Sequence, residues 1–354
     1  MCSQITVVFN LVYIYESFFD LIHREDRKAF VNINEIKDYC NLTTQPLSPK
    51  FQKQLIQQEA SDENDIYIKE VISYRNKYIR TNNKDHKILM VAADFHDKWV
   101  DPFVLKVWLD SVKRIQPDYI CLAGDIFDFY QVSNFNQDPR RVFSLQEDID
   151  FTIKNILTPT RKAAPDAQID MLIGNHEFRL IKYLMAEARG LSSLKCLRFG
   201  ELFQLDKNKI NLVCHDRFTE NTNINNDKNY IVYDDCFIVS HGTSTGTNHA
   251  MAELSKWGLS GCSGHMHHLQ ESRVYRKTTR QSKTDIFGEM KWISLGCMCS
   301  IESGKEYIKD LVRWQQGFLI THIFPQQKNV INEYIEIVNG KAFVGGKLYV
   351  KGES

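Results

Sequence analysis

The chain carries no net charge: 44 Lys and Arg face 44 Asp and Glu over 354 residues. Non-specific binding to duplex nucleic acid through global charge is thereby excluded, and any anion-binding surface must be local. No CxxC pair occurs among the nine scattered cysteines. An odd number at irregular spacing is no disulfide framework. Several sit inside apolar runs ("YICLAG", "NLVCH", "DCFIVS") and read as small hydrophobes of a reduced, intracellular protein. Long apolar runs are also missing. The N-terminal "MCSQITVVFNLVYIYESFF" has no Lys or Arg ahead of it, and Asn10 and Glu16 interrupt it. It falls short of the roughly 20 apolar residues of a membrane span. A cytoplasmic protein without a membrane partner is expected. Internal repeats and low-complexity segments are absent too. Histidine is scarce, with 11 in all, yet His265, His267 and His268 crowd into "GCSGHMHHLQ".

Residues 1–86 differ from the rest. They are polar and helix-like, and "NINEIKDYCNL" has the look of a winged-helix type of helix. They are expected to form an N-terminal extension, joined by the linker "RTNNKDH" to a domain over 87–354. Hydrophobic residues make up 43% of the chain, enough for a substantial core. From residue 87 short apolar runs alternate with helical stretches: "KILMVAA", then "DPFVLKVWLDSVKRIQ"; "YICLAG", then "SLQEDIDFTIKNILTPTRKAA"; "QIDMLIG", then "EFRLIKYLMAEARG". Such alternation predicts βαβ units with buried strands, an α/β class. The later half is strand-rich, and Asn339-Gly340 between alternating runs predicts a C-terminal β-hairpin.

The predicted strands end in polar clusters: "ADFHD", "GDIFDFY", "GNHEF", "VSHG" and "GCSGHMHH". In α/β sheets ligands bind beyond the carboxyl ends of strands. Five such ends would gather Asp94, His96, Asp125, Asn175, His241, His265 and His267 in one crevice. The set offers hard oxygens and imidazole nitrogens and includes no cysteine, a mixture suited to Mn²⁺, Fe or Zn²⁺. Two carboxylates and a bridging hydroxide leave two divalent ions with a net charge of about +1, which attracts a phosphate ester.

In that order, D-x-H, G-D-x-x-D, G-N-H-[DE], H-G and G-H-x-H, the blocks resemble those of calcineurin-like metallophosphoesterases. The resemblance covers about 87–300. The tail "GCMCSIESGKEYIKDLVRWQQGFLI" is similar to that of metallophosphoesterases of tailed phages, and "GDIFDFY" to a block of UDP-diacylglucosamine hydrolases. It implies a four-layer αββα sandwich holding two divalent ions, Mn²⁺ first, with Fe, Zn²⁺ or Ni²⁺ as alternatives. One ion would take Asp94, His96, Asp125 and His267, the other Asp125, Asn175, His241 and His265. His176 would protonate the leaving oxygen or steady the transition state, and Asp128 would orient a histidine or a water. The family's phosphatases often continue G-D-x-x-D-R-G. Phe129 and Tyr130 stand there instead, which argues against a protein phosphatase.

Other residues read more plainly. His268 reads as part of a solvated loop, His215, His249 and His322 have no site role, and Trp314 reads as core. The basic run 271–283, with Arg273 and Arg276, would join Arg140, Arg141 and Arg179 as a local positive funnel for substrate. The expected activity is phosphoester hydrolysis by a metal-bridging hydroxide. Phosphodiesters of single-stranded nucleic acid or of nucleotides are the expected substrates. A phosphomonoester or pyrophosphate substrate is the alternative within the same chemistry. A metal-free scaffold or nucleic-acid-binding module is the alternative outside it.

Overall fold

The computed structural model describes residues 85–134, 144–214, 229–275, 289–302 and 313–353. The N-terminal extension, apart from Asp85 and His86, lies outside them. In chain order the strands are β1 Lys87–Ala92, β2 Tyr119–Ala123, β3 Gln168–Leu172, β4 Ile210–Val213, β5 Tyr230–Tyr233, β6 Phe237–Ser240 and β7 Gly261–Ser263. They continue with β8 Gln270–Tyr275, β9 Glu289–Ser294, β10 Gln316–Phe324, β11 Asn329–Ile337, β12 Lys341–Val344 and β13 Lys347–Val350. The helices are α1 Pro102–Ile115, α2 Leu145–Thr152, α3 Thr158–Ala163, α4 Glu177–Ala186, α5 Phe199–Leu202 and α6 His249–Trp257.

Local chemistry explains the boundaries. Asp101 caps α1 by accepting the N–H groups of Phe103 and Val104, and Pro102 opens the helix without wasting a donor. Val104, Val107, Trp108, Val112 and Ile115 then bury one stripe. Ser144 and Glu147 form a reciprocal capping box on α2. The expected single helix after it is broken by a π turn at Ile153–Leu157 before α3. Pro159 has no N–H to continue the ladder there. Asn339 (φ 50°) and Gly340 (φ 69°) make a two-residue turn between β11 and β12, closed by Val338 and Lys341 exchanging N–H···O bonds of 2.9 Å.

The strands form two large sheets. One runs β11-β10-β1-β2-β3-β4, with β1 to β4 parallel and β10 antiparallel to β1. The other runs β5-β6-β7-β9-β8, with β6, β7 and β9 parallel. Strand alternation assigns the layers. Ile88, Met90 and Ala92 of β1 face the core shared with α1 to α4. Leu89 and Val91 face instead a layer that includes Phe237, Val239, Cys262 and Ile293 of the second sheet. Beyond that sheet, Ile238 and Trp292 pack on Ala250 and Leu254 of α6. Helix, sheet, sheet, helix: this is the four-layer αββα sandwich. No helix among the described residues is long and apolar enough to cross a membrane.

Phe237 is fully buried between the sheets, four residues before His241. Phe237→Ala is expected to cost about 3–5 kcal/mol, read as a lower urea midpoint. A loss below about 1 kcal/mol would show that this layer does not hold the sheets together.

Candidate metal centre

The carboxyl ends of β1, β2 and β3 on one sheet and of β6 and β7 on the other open into one crevice. Backbone bonds pin them together. Asp94 N–H donates to Gly124 O at 3.0 Å, and Phe95 N–H to Asp125 O at 2.9 Å. Across the sheets, His265 N–H donates to Asp94 Oδ2 at 3.0 Å, and His241 Nδ1 to Ala123 O at 2.9 Å. Space there is tight. Gly124 has φ +90°, and a Cβ on it would stand 2.6 Å from His241 Nδ1; one on Gly174 would stand 2.0 Å from Asp125 Oδ1. Asp94, His96, Asp125, His265 and His267 all hold left-handed φ values, from 51° to 75°. Such a conformation costs a non-glycine residue roughly 1–2 kcal/mol, and its concentration here marks a site whose geometry the surroundings impose.

Donor atoms fall into overlapping groups. Those of Asp94, His96 and Asp125 lie within 4.8 Å of one another, and so do those of Asp125, His241 and His265. Ligands about 2.0–2.3 Å from one ion stand within roughly 4.6 Å of each other, so each group has the spread of a coordination shell. Asp125 belongs to both. Asn175 Oδ1 is 3.1 Å from His241 Nε2, and His267 Nε2 is 3.3 Å from Asp94 Oδ1 and 3.2 Å from His96 Nε2. All seven sequence-marked ligands are thus drawn together. A carbonyl can only accept, so His241 Nδ1 carries the hydrogen bonded to Ala123 O and Nε2 is turned toward Asp125.

The sequence reading left cysteine out of the donor set; the fold brings one close to it. Cys299, 1% exposed, places Sγ within 4.8 Å of the donor nitrogens of His96 and His267. β9 stops at Ser294, and the following loop folds back, with Met298 and Cys299 N–H both donating to Asp94 O at 3.1 Å.

Electrostatics follow from burial. Burial raises the Asp125 carboxyl, but His176 and His241 outweigh it and hold it well below the usual range; Asp94 is lowered in the same way by His267. Burial lowers His241, yet Asp125 and Asp94 bring it up to about 10. His267, against the same burial, reaches about 9 through Asp94. Burial and neighbouring imidazoles lower His96 and His265. Without an ion, two carboxylates are therefore balanced by two imidazolium rings.

His176 and Asp128 sit beside these groups. Asp128 Oδ1 accepts from His176 Nδ1 at 2.6 Å and from Arg179 Nη1 at 2.9 Å. A guanidinium can only donate, so His176 Nε2, 3.0 Å from Arg179 Nη2, is an acceptor here. Arg179 is thus committed to this pair and to Asp128 O rather than standing free on a rim. Arg273 lies on the outer strand β8, bonded to Glu271 at 2.5 Å and Glu289 at 3.5 Å, and no bond among the described residues links it to the crevice. Arg140, Arg141, Arg276 and His215 lie outside the described residues. His268 bonds Met266 O at 3.0 Å and stacks edge-on with His249.

Three supporting residues were given no part in the site from sequence. Glu177, fully buried, accepts the N–H groups of Asp125, Ile126, Phe127 and Gly174 and so ties the β2 and β3 ends together. Burial and the charge of Asp125 push its pKa up to about 7. Asp97 accepts Asp128 N–H at 2.7 Å and the Thr152 hydroxyl at 2.7 Å. Trp314 packs edge-on against His267, ring centroids 4.3 Å apart. The last residue of "GNHE" was the available signal for Glu177; nothing local marked the other two. Phe129, in the place of the phosphatase arginine, is buried against Phe199 and Phe203.

No family model matches the chain, and no curated protein sequence does. Solved structures similar to it include a Vps29 variant from Entamoeba histolytica, at TM-score 0.33 and 12% identity over 74% of this chain and 95% of that one. Another is a metallophosphoesterase from Sphaerobacter thermophilus, at TM-score 0.35 and 15% identity over 71% and 88%. At those values the function of this chain has to be read from its own side chains.

Divalent-ion uptake must displace the protons on His241 and His267, held there by pKa values of about 10 and about 9. Binding at pH 7 is expected to release at least these two protons and to weaken as pH falls. Calorimetry in buffers of different ionisation enthalpy measures this, and uptake without proton release would contradict the charge balance described.

Proposed function

We propose that the chain is a two-metal phosphoesterase of the calcineurin-like superfamily. The observation that carries this reading is Asp125, one buried carboxylate shared by two donor groups of coordination-shell dimensions. The donor set fits: Asp94, His96, Asp125 and His267 would hold one ion, and Asp125, Asn175, His241 and His265 the other. Two divalent ions bound there would acidify a water and stabilise the attacking and leaving oxygens of a phosphoryl group.

The chain's own residues divide the remaining work. Asp128 orients His176 through the 2.6 Å bond to Nδ1, leaving Nε2 turned to Arg179. An arriving phosphate competes for that guanidinium, which suits two phosphate oxygens. Nε2, once it has taken a proton from solvent, is then placed to pass it to the leaving oxygen or to hydrogen-bond the transition state. The finer reading is a phosphodiesterase acting on nucleic acid or nucleotides with Mn²⁺. Its support is the basic composition of 271–283.

Chelation is expected to abolish hydrolysis of bis-p-nitrophenyl phosphate and Mn²⁺ to restore it. p-Nitrophenyl phosphate is expected to be the poorer substrate, and the reverse order would replace the diester reading by a monoester one. Asp125→Ala should be inactive. His176→Ala should lose about 10²–10⁴ in kcat while elemental analysis shows its metal retained. Full activity in Asp125→Ala would rule the mechanism out, and metal-free protein that Mn²⁺ does not stabilise would favour a scaffold.

A further inference from the structure

We propose that Cys299 is a thiolate ligand to the ion held on the His96 and His267 side, so that the two positions differ in kind: a soft one that selects Zn²⁺ and a harder one built on Asp125, Asn175, His241 and His265. The inference rests on the two-metal reading above and adds a ligand to it.

Three observations carry it. Sγ of Cys299 and the donor nitrogens of His96 and His267 lie within 4.8 Å of one another, and all three residues are buried. The Cys299 backbone is anchored on the ligand-bearing strand end, since its N–H donates to Asp94 O at 3.1 Å and its carbonyl accepts from Gln316 Nε2 at 2.8 Å. A thiol held this way is already placed before an ion arrives. The third is the setting of His267, whose Nε2 faces Asp94 and His96 at 3.3 and 3.2 Å, so its ring already turns a nitrogen toward the ligands of that ion.

Chemistry decides the consequence. Thiolate is a soft ligand that favours Zn²⁺ over Mn²⁺, whereas an oxygen-rich set does not discriminate in that direction so strongly. A coordinating thiol loses its proton to solvent, so Sγ–H is exchanged for a sulfur–metal bond with no change of oxidation state. The thiolate adds a third negative charge to those of Asp94 and Asp125. It thereby lowers the net positive charge of the loaded centre.

Cobalt(II) tests this without reference to turnover. Co²⁺ added to the full-length apoprotein is expected to give visible d–d bands together with a near-ultraviolet thiolate-to-cobalt charge-transfer band. Cys299→Ser should keep the d–d bands and lose the charge-transfer band, and Cys297→Ser should keep both. Should Cys299→Ser fail to fold, the wild-type and Cys297→Ser spectra decide alone, since Cys297 is the nearby thiol against which Cys299 is tested. Wild-type d–d bands without charge transfer would overturn the thiolate ligand and leave the two-metal reading standing. A charge-transfer band that survives in Cys299→Ser, or vanishes in Cys297→Ser, would overturn the assignment to Cys299. Absence of any cobalt binding would overturn both readings.

Discussion

The structure is organised around one electrostatic problem, the burial of Asp94 and Asp125 side by side. Both are at most 1% exposed, and their carboxylates share a group of donor atoms within 4.8 Å. Two unit charges at that distance repel by about 3 kcal/mol at an effective dielectric constant near 20, before any cost of leaving water is counted. The surrounding chain supplies the answer in fixed dipoles and imidazoles. His176 N–H donates to Asp125 Oδ1 at 2.8 Å, and His265 N–H donates to Asp94. His241 and His267 stand at 3.2 and 3.3 Å from the two carboxylates. Cations are the other way to satisfy such a pair, and the same atoms serve either purpose.

Holding that arrangement has a conformational cost, which the αββα frame meets. Left-handed backbone at Asp94, His96, Asp125, His265 and His267 would relax if the strand ends were free. They are not free: β1, β2 and β3 are locked in a parallel ladder, and β6 and β7 in another. Glu177 gathers four backbone N–H groups from the loops after β2 and β3 on one carboxylate, a charge-assisted set of bonds in a dry interior. Stability from the inter-sheet layer is in this sense converted into geometry at its rim.

Around the carboxylates lies a second tier with a different purpose. Asp128 draws His176 and Arg179 together, and Asp97 holds the Asp128 backbone in turn. An imidazole and a guanidinium are thereby kept in mutual contact. Phe129 packs into the core against Phe203.

Much of this was legible in the one-dimensional pattern. Apolar runs that stop at a polar cluster mark buried strands ending at a crevice, so the α/β class and Asp94, His96, Asp125, Asn175, His241, His265 and His267 could be read off with their order. Helix caps such as Asp101 and Ser144 were equally local. The division of five strand ends between two sheets was not legible from periodicity, because strand alternation tells which residues are buried and not which sheet covers them. Cys299 was not singled out for a related reason: a buried thiol looks alike in sequence whether it faces leucine or imidazole. Its approach to His96 and His267 spans some two hundred residues of chain in one case and about thirty in the other. Arg179 and Arg273 carry identical charge, yet one is bound inside the crevice and the other pairs with Glu271 and Glu289 on an outer strand. Residue type and spacing determine what chemistry is on hand, because they act locally. Which groups meet is decided by sheet pairing and packing between segments far apart in the chain, and only the folded molecule contains that information.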